Sequence, residues 1–210
     1  MTVEAQGELA ELEPRLRARL HPLTGIDQER HRPVTDPRTP GKDEADYTPA
    51  AVLAGLIARP EGLSMLLTRR SDALRRHSGQ VALPGGRAEP GETPVQTALR
   101  EAEEEVGLSP RFVRPIGLGD LYRTGTGYAI TPVVALITPG FELTPDPGEV
   151  AEIFETPFRF LMDPANHERK TWVDAQGEQR PYYAMPHEGR MIWGVTAGLF
   201  RSLYERLFED

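Results

Sequence analysis

Short apolar blocks separated by polar turns run through the middle of the chain. Two of them, Ala50–Ile57 and Leu63–Thr68, flank residues 58–62, which include a proline and a glycine. This pattern predicts two consecutive strands joined by a turn. Further strands are predicted from the remaining short blocks, which are Val81–Leu83, Arg111–Leu118, Tyr128–Ile137 and Val150–Phe154.

Other segments carry apolar residues at helical spacing. Residues 7–20 have leucines at positions 9, 12, 16 and 20, with Pro14 at an early or kinking position. The segments Thr93–Val106 and Ile192–Phe208 are also predicted to be helices. Strands and helices in this order predict a mixed α/β fold.

The stretch between the first helix and the first strand differs in composition. Residues 21–48 are polar and contain four prolines, which is typical of irregular structure. We therefore predict an N-terminal arm over residues 1–46, made of a helix and a proline-rich segment, and one globular domain over residues 47–210.

Composition excludes several kinds of site and partner. The net charge is −8, which disfavours nonspecific nucleic-acid binding because phosphate contacts need Lys and Arg. The chain has no cysteine, so disulfides, thiolate zinc sites and a cysteine nucleophile are excluded. The acidic N-terminus resembles no signal peptide, and the apolar run at 50–58 is too short to span a bilayer. We expect a cytoplasmic protein that does not bind membranes.

The helix Thr93–Val106 carries an unusual density of glutamates. Thr93 is a suitable N-cap, Gln96 completes a capping box, and Gly107 suits the C-terminal end. At about 100° per residue, one face is apolar and comprises Val95, Ala98, Leu99, Ala102 and Val106. Three carboxylates share an adjacent arc, those of Glu101, Glu104 and Glu105, while Glu103 lies on the opposite flank near Arg100.

A solvated acidic face is the simpler interpretation of such a run. However, no Lys or Arg follows the glutamates four residues later, and acids near a helix C-terminus oppose the helix dipole. Converging carboxylates without basic neighbours are explained by a divalent cation. Ligand sets made only of oxygen favour Mg²⁺ or Mn²⁺.

This segment resembles the Nudix box. Gly86 is followed after five residues by Glu92 and after seven more by Arg100–Leu108, so all nine specified positions over 23 residues are filled. The resemblance implies a Nudix α/β/α sandwich with a mixed central sheet. It also implies metal-dependent hydrolysis of a nucleoside diphosphate linked to another group.

The resemblance also implies roles for individual residues. Glu101, Glu104 and Glu105 resemble the metal-binding and catalytic carboxylates, and Arg100 resembles the residue that orients them. Glu92 resembles a supporting carboxylate of the metal shell, and Gly86 would offer its backbone carbonyl to the metal.

The upstream stretch Leu66–Gly86 resembles the segment that precedes the box in coenzyme A pyrophosphatases. The matching positions are Thr68, Arg70, Ser71, Leu74, His77, Gly79, Gln80 and Val81. Leu83 departs from the usual phenylalanine, which we expect to change packing and not activity. The resemblance implies that Arg70, Ser71, His77 and Gly85 bind the substrate and that coenzyme A, or its acylated or oxidised form, is cleaved to 3′,5′-ADP and 4′-phosphopantetheine.

Several questions stay open at this stage. Glu149 and Glu152 are candidate general bases and Asp120 is a weaker one, although a solvated strand edge explains the two glutamates equally well. Four aromatic residues are interpreted as core or lid residues, namely Trp172, Tyr182, Tyr183 and Trp193. The alternative functions are a Nudix pyrophosphohydrolase for ADP-ribose, a dinucleotide or a (d)NTP, and a Nudix-fold ligand sensor without turnover. The resemblance is also compatible with a homodimer.

Overall fold

The computed structural model describes residues 3–32, 34–36, 47–72, 78–174 and 177–209. Its helices are α1 (Val3–Arg19), α2 (Pro94–Val106), α3 (Phe158–Leu161) and α4 (Val195–Phe208), with 3₁₀ turns at Pro110–Phe112 and Pro164–Asn166. Its strands are β1 (Val34–Thr35), β2 (Thr48–Arg59), β3 (Gly62–Arg70), β4 (Val81–Ala82), β5 (Gly85–Arg87), β6 (Val113–Leu118), β7 (Tyr122–Arg123), β8 (Tyr128–Ile137), β9 (Val150–Pro157), β10 (Glu168–Val173), β11 (Gln179–His187) and β12 (Arg190–Trp193).

The main sheet is mixed and is built around β2 and β8. These two strands run parallel, with Cα partners from Thr48↔Tyr128 to Ile57↔Ile137. The strand order is β1-β7-β8-β2-β3-β4, and β5, β6 and β9 pair with β2, β8 and β3 respectively. A separate antiparallel sheet has the order β10-β11-β12.

Alternation along β2 separates two apolar layers, because successive side chains in a strand point to opposite faces. Ala51, Leu53 and Ile57 belong to the cluster on the α2 side, whereas Val52, Ala54 and Leu56 belong to the cluster on the α1 and α4 side. The sheet is therefore covered by helices on both faces. The predicted mixed α/β sandwich is confirmed.

The N-terminal helix is part of this packing. Leu12, Leu16 and Leu20 are buried in the same cluster as Phe200 and Leu203 of α4, and Leu9 packs against it. The leucines whose spacing predicted the helix are therefore the residues that pack against the core. Among the described helices, none is both long and apolar enough to cross a membrane.

The sequence prediction was wrong at the start of the last helix. Ile192 and Trp193 belong to β12, where they pair with Met185 and Ala184 of β11. Gly194 then takes φ +63° and ψ −127°, a conformation open to glycine that turns the chain into α4. The strand predicted from Arg111 begins only at Val113, because residues 110–112 form a 3₁₀ turn.

Candidate active site

Helix α2 presents its carboxylates to the β4–β5 segment. The predicted capping box is confirmed, since the Thr93 side chain accepts from the Gln96 N–H and the Gln96 side chain accepts from the Thr93 N–H. Gly107 ends the helix in the left-handed conformation at φ +70°. Ala98, Ala102 and Val106 are buried as predicted, which anchors the helix to the sheet.

Val95 is partly buried and packs against the same cluster. The predicted apolar face was wrong in two respects, since Leu99 is only partly buried, whereas Thr97 and Glu105 are buried. Glu105 was predicted to lie next to the apolar face of the helix. In the structure it lies within the buried face, at its edge, where it accepts from the Gly85 N–H.

Arg100 holds three of the carboxylates together. Its Nε donates to Glu92 Oε1 at 2.8 Å, and its Nη1 donates to Glu101 Oε1 at 2.9 Å and Glu104 Oε2 at 2.8 Å. Its Nη2 donates to the Arg87 carbonyl at 3.0 Å. The prediction that the cluster lacks basic neighbours was therefore wrong. The basic residue is Arg100, which precedes the glutamates in the helix.

The same arginine favours the ionised form of Glu92. The hydrogen bond from Arg100, reinforced by the Glu89 backbone N–H, lowers the pKa of Glu92 to about 2. Thr97 Oγ1 also donates to Glu92 Oε2 at 2.9 Å. Glu92 thus orients Arg100 from the side opposite Glu101 and Glu104.

Two glycines allow the backbone to approach the carboxylates closely. A Cβ built on Gly86 would lie 2.6 Å from the carboxylate atoms of Glu101. Gly85 has φ +156°, and a Cβ there would lie 2.4 Å from the Ala51 carbonyl oxygen. The Gly85 N–H donates to Glu105 Oε2 at 3.1 Å. A side chain at Gly86 would collide with Glu101 of the helix, whereas one at Gly85 would collide with the neighbouring strand β2.

The surroundings of Glu105 and Glu101 disfavour the ionised forms of both carboxylates. Burial raises the pKa of Glu105 to about 7, despite the Gly85 N–H and the Arg70 guanidinium. Arg70 Nη1 lies 3.5 Å from Glu105 Oε1, at the limit of a hydrogen bond. Burial also raises the pKa of Glu101, against the opposing effect of Arg100. A nearby cation would favour ionisation of both acids.

The chemistry of these donors suits a divalent ion. Glu101, Glu104 and Glu105 are oxygen donors from one helix, and the backbone of Gly86 lies close to the Glu101 carboxylate. Hard ions such as Mg²⁺ and Mn²⁺ prefer such oxygen-only ligands.

The structure separates the two candidate bases. Glu149 Oε2 lies 3.8 Å from Arg70 Nη2, and its charge contributes to the raised pKa of both Glu101 and Glu105. Glu152 instead accepts from Arg190 Nη2 at 2.5 Å and lies 3.6 Å from Arg69 Nε. The Arg190 hydrogen bond lowers the pKa of Glu152. Only Glu149 lies beside the carboxylate cluster.

The upstream residues reach the site through the end of β3. The buried Ser71 donates its backbone N–H to the Glu149 carbonyl at 2.7 Å, and the Arg70 N–H donates to the Gln80 carbonyl at 2.9 Å. Ser71 thus fixes the start of β9 next to Arg70. Leu74 and His77 of the predicted pattern lie outside the described residues.

A cavity of about 520 Å³ opens beside Gly85 and Gly86. Arg70 and Gln80 also line it, and Trp172 and Trp193 lie on its wall. Sequence reasoning left both tryptophans out of the site. Their exposure, at 46% and 37%, is the signal that sets them apart from core residues, and it is not readable from the sequence.

Asp120, the weaker candidate base, belongs to a different buried cluster. Its carboxylate accepts from Arg206 Nε at 2.6 Å and Nη2 at 2.5 Å, and from the Arg32 N–H at 2.9 Å. His21 Nε2 and His31 Nδ1 lie 3.1 and 3.2 Å from Asp120 Oδ1. These partners connect α4 to the N-terminal segment and leave Asp120 no role at the glutamate cluster.

Comparison with known proteins adds independent information. The NUDIX domain family model matches residues 47–177. A relative from Yersinia enterocolitica, described as an uncharacterised Nudix hydrolase NudL, is 39% identical over 171 residues, which cover 80% of this chain and 86% of the relative. A NudL from Photorhabdus laumondii is 41% identical over 160 residues, covering 75% and 84%. The NUDIX domain of Shewanella oneidensis NrtR, solved with ADP ribose, aligns over 88% of this chain and 96% of that chain with a TM-score of 0.48 and 16% identity.

Proposed function

The chain belongs to the Nudix hydrolase family, and from that premise we propose that it cleaves the pyrophosphate bond of coenzyme A to 3′,5′-ADP and 4′-phosphopantetheine. The observation that carries the hydrolytic part is the carboxylate cluster of α2, in which Glu101 lies against Gly86, Glu105 accepts from the Gly85 N–H, and Glu104 shares Arg100 with Glu101. The choice of coenzyme A rests on the resemblance of Leu66–Gly86 to the coenzyme A pyrophosphatases.

We propose that Glu101, Glu104 and Glu105 hold Mg²⁺ or Mn²⁺, with the Gly86 carbonyl as a further ligand and Glu92 in the surrounding shell. Such an ion, when bound, neutralises pyrophosphate charge and lowers the pKa of the attacking water. Arg100 keeps Glu101 and Glu104 in place before substrate arrives, through two hydrogen bonds shorter than 3 Å. Preorganisation of this kind avoids rearranging charges during the reaction.

Glu149 is the residue we assign as general base. It lies beside the cluster, and its weak contact with Arg70 leaves its carboxylate available to accept a proton from water. Glu152 is not favoured for this role, because Arg190 and Arg69 hold it. Arg70 lines the cavity next to Gly85 and is placed to meet substrate phosphates, for which arginine has suitable bidentate geometry.

Product analysis tests the proposal directly. Purified protein is incubated with coenzyme A in Mg²⁺, in Mn²⁺ and in EDTA, and the products are identified by mass. We expect 3′,5′-ADP and phosphopantetheine only where the metal is present. Intact coenzyme A together with cleavage of ADP-ribose, a dinucleotide or a (d)NTP would replace the substrate and keep the reaction class. No turnover of any of them would favour a ligand sensor.

The division of the chain into an arm over 1–46 and a hydrolase domain over 47–210 is kept as a proposal, as is a homodimer. The family match begins at residue 47. Light scattering of the full chain and of residues 47–210 would measure both the oligomeric state and the contribution of the arm.

A further inference from the structure

The cavity beside Gly85 and Gly86 is lined mainly by hydrocarbon. Its aliphatic side chains come from the main sheet and from the first turns of α4, and include Val52, Leu83, Ile130, Val195 and Leu199. The volume, about 520 Å³, falls within the range of roughly 300–1,000 Å³ that is typical of small-molecule sites. The cavity therefore offers a ligand more apolar contact than the nucleotide and phosphate parts of a substrate require.

The three threonine side chains of the lining are engaged by the protein itself. Thr196 Oγ1 donates to the Val81 carbonyl at 2.8 Å, and Thr124 Oγ1 accepts from the Tyr128 N–H at 2.9 Å while contacting Thr126 Oγ1 at 3.0 Å. A purine ring placed among the aliphatic residues would lose water from its hydrogen-bonding edges without replacement partners there. Such unpaired burial is costly, whereas a hydrocarbon chain loses nothing.

Both tryptophans of the chain lie on one face of the small sheet and on the wall of this cavity. The register pairs Trp172 with Arg180 of β11 and Trp193 with Ala184 of β11. Tyr182 lies between these two positions on the same face, and its ring centroid is 6.0 Å from that of Trp193. This diagonal aromatic row is close enough for the side chains to act as one surface.

We propose that this cavity binds an aliphatic acyl chain carried by the substrate, with Trp172 and Trp193 covering the chain and Leu199 and Val195 forming its floor. The link to catalysis rests on the proposed function, because Gly85 and Gly86 join the cavity to the carboxylate cluster. The chain-binding property itself does not depend on hydrolysis. The enzyme would thus select acylated forms of coenzyme A over the free thiol.

The two tryptophans make the cavity observable without turnover. Since the chain has no other tryptophan, intrinsic fluorescence of the full protein in EDTA reports on this wall alone. Butanoic, hexanoic, octanoic and decanoic acids are titrated below their micelle concentrations, and adenosine 3′,5′-bisphosphate is titrated separately. We expect a saturable blue shift with the acids and an affinity that rises about two- to fourfold per methylene. We expect no shift with the nucleotide.

Matched variants locate the binding. Leu199→Ala should weaken decanoic acid binding about tenfold or more, and Leu23→Ala, at an exposed leucine outside the cavity lining, should not change it. If Leu199→Ala fails to fold, Val195→Phe, at a partly buried position on the rim of α4, fills the cavity and should abolish binding. Affinity independent of chain length, or a fluorescence shift with the nucleotide and none with the acids, would overturn the proposal.

Kinetics then separates this proposal from the proposed function. If chains bind as expected but neither coenzyme A nor its acyl esters are cleaved, the cavity assignment holds and the assigned reaction fails. If coenzyme A is cleaved and octanoyl-coenzyme A is not preferred in kcat/KM by at least about tenfold, the reaction holds and the chain site is overturned.

Discussion

Asp120 and Glu105 are both buried acids, with 3% and 5% of their surfaces exposed. Their surroundings shift their pKa values in opposite directions. Burial would raise the pKa of Asp120, but hydrogen bonds from Arg206, Arg32 and His21 outweigh it and lower that pKa to about 2. Burial raises the pKa of Glu105 to about 7, because its partners are a single N–H and an arginine at 3.5 Å.

The difference distinguishes a structural cluster from a functional one. His21, His31 and Asp120 offer three ligand atoms within 4.8 Å of one another, which by itself resembles a metal site. The guanidinium of Arg206 already occupies the position of a cation, since it contacts both carboxylate oxygens and His21 Nε2. Metal binding there would require expelling a buried charge.

At the glutamate cluster the balance is reversed. Burial raises the pKa values of Glu101 and Glu105 and outweighs the opposing effects of Arg100 and Arg70, so a bound cation would favour the ionised forms of both acids. A buried carboxylate such as Asp120, whose charge is balanced by a nearby arginine of the same chain, stabilises the fold. A buried carboxylate such as Glu105, whose charge is only weakly balanced, favours a bound cation. The following predictions test this comparison, from the largest expected effect to the smallest.

Replacing Arg206 with methionine should destabilise the protein by about 3–5 kcal/mol, because Asp120 would be left buried without its main partner. Urea denaturation measures the free energy of unfolding. Arg201→Met is the control on the same helix, and it removes ion pairs with the more exposed Glu205 and Glu209. That change should cost about 1 kcal/mol or less. Equal losses in the two variants would contradict the assignment of Asp120 to a structural cluster.

Glu104→Gln should lower turnover by more than about 100-fold, because it removes a proposed metal ligand. Loss of a residue that only hydrogen-bonds to a metal ligand costs about 10- to 100-fold. Its side chain is 60% exposed, so the fold should be preserved. Glu103→Gln is the matched control, because Glu103 is exposed on the same helix and no described contact joins it to the cluster. A near-normal rate for Glu104→Gln would refute the proposed role of the carboxylates.

Glu149→Gln should reduce kcat by about 100-fold, near the lower end of the contribution of a general base. Glu152→Gln, three residues along the chain, should have a much smaller effect because Arg190 and Arg69 already hold that carboxylate away from the cluster. The kcat values of both variants are measured under the same conditions. A much larger loss in Glu149→Gln than in Glu152→Gln would support the assignment, and equal losses would move the base elsewhere.

Glu105→Gln should stabilise the metal-free protein at pH 8 by about 1–3 kcal/mol and change little near pH 5. The folded-state pKa of Glu105, about 7, lies above the ordinary glutamate value of 4.5. Its protonated form therefore favours folding, and that contribution is lost as pH rises from the unfolded value through the folded one. Thermal denaturation in EDTA at both pH values measures the difference. A variant that is equally stable, relative to the parent, at both pH values would show that burial does not penalise this carboxylate.

Local signals in the sequence predicted a large part of the fold. The capping box of α2, the glycine at its end and the continuous apolar block of β2 all depend on neighbours along the chain. The strands β10 and β11 were missed because most of their residues are exposed or only partly buried, and neither sequence shows a regular alternation of apolar and polar residues. Ile192 and Trp193 were placed in a helix because their spacing fits one, whereas pairing with β11 decides their conformation.

The candidate site shows the same division. The spacing of Gly86, Glu92 and the glutamates of α2 is sufficient to predict an oxygen-rich site, because helical periodicity alone brings those carboxylates together. The sequence could not distinguish Glu149 from Glu152, since the distinction depends on Arg190, which is distant in the chain and adjacent in space.

By itself, the sequence determined that the protein is an α/β protein with a carboxylate cluster on one short helix, because these features depend on residues within a few turns of one another. Only the tertiary structure decided which buried carboxylates have an arginine close enough to balance their charge. Arg206 reaches Asp120 across 86 residues, and Glu105 is buried against Gly85 from another element. Burial and charge balance depend on contacts distant in sequence, and for that reason the pKa of an acid and its role are properties of the fold.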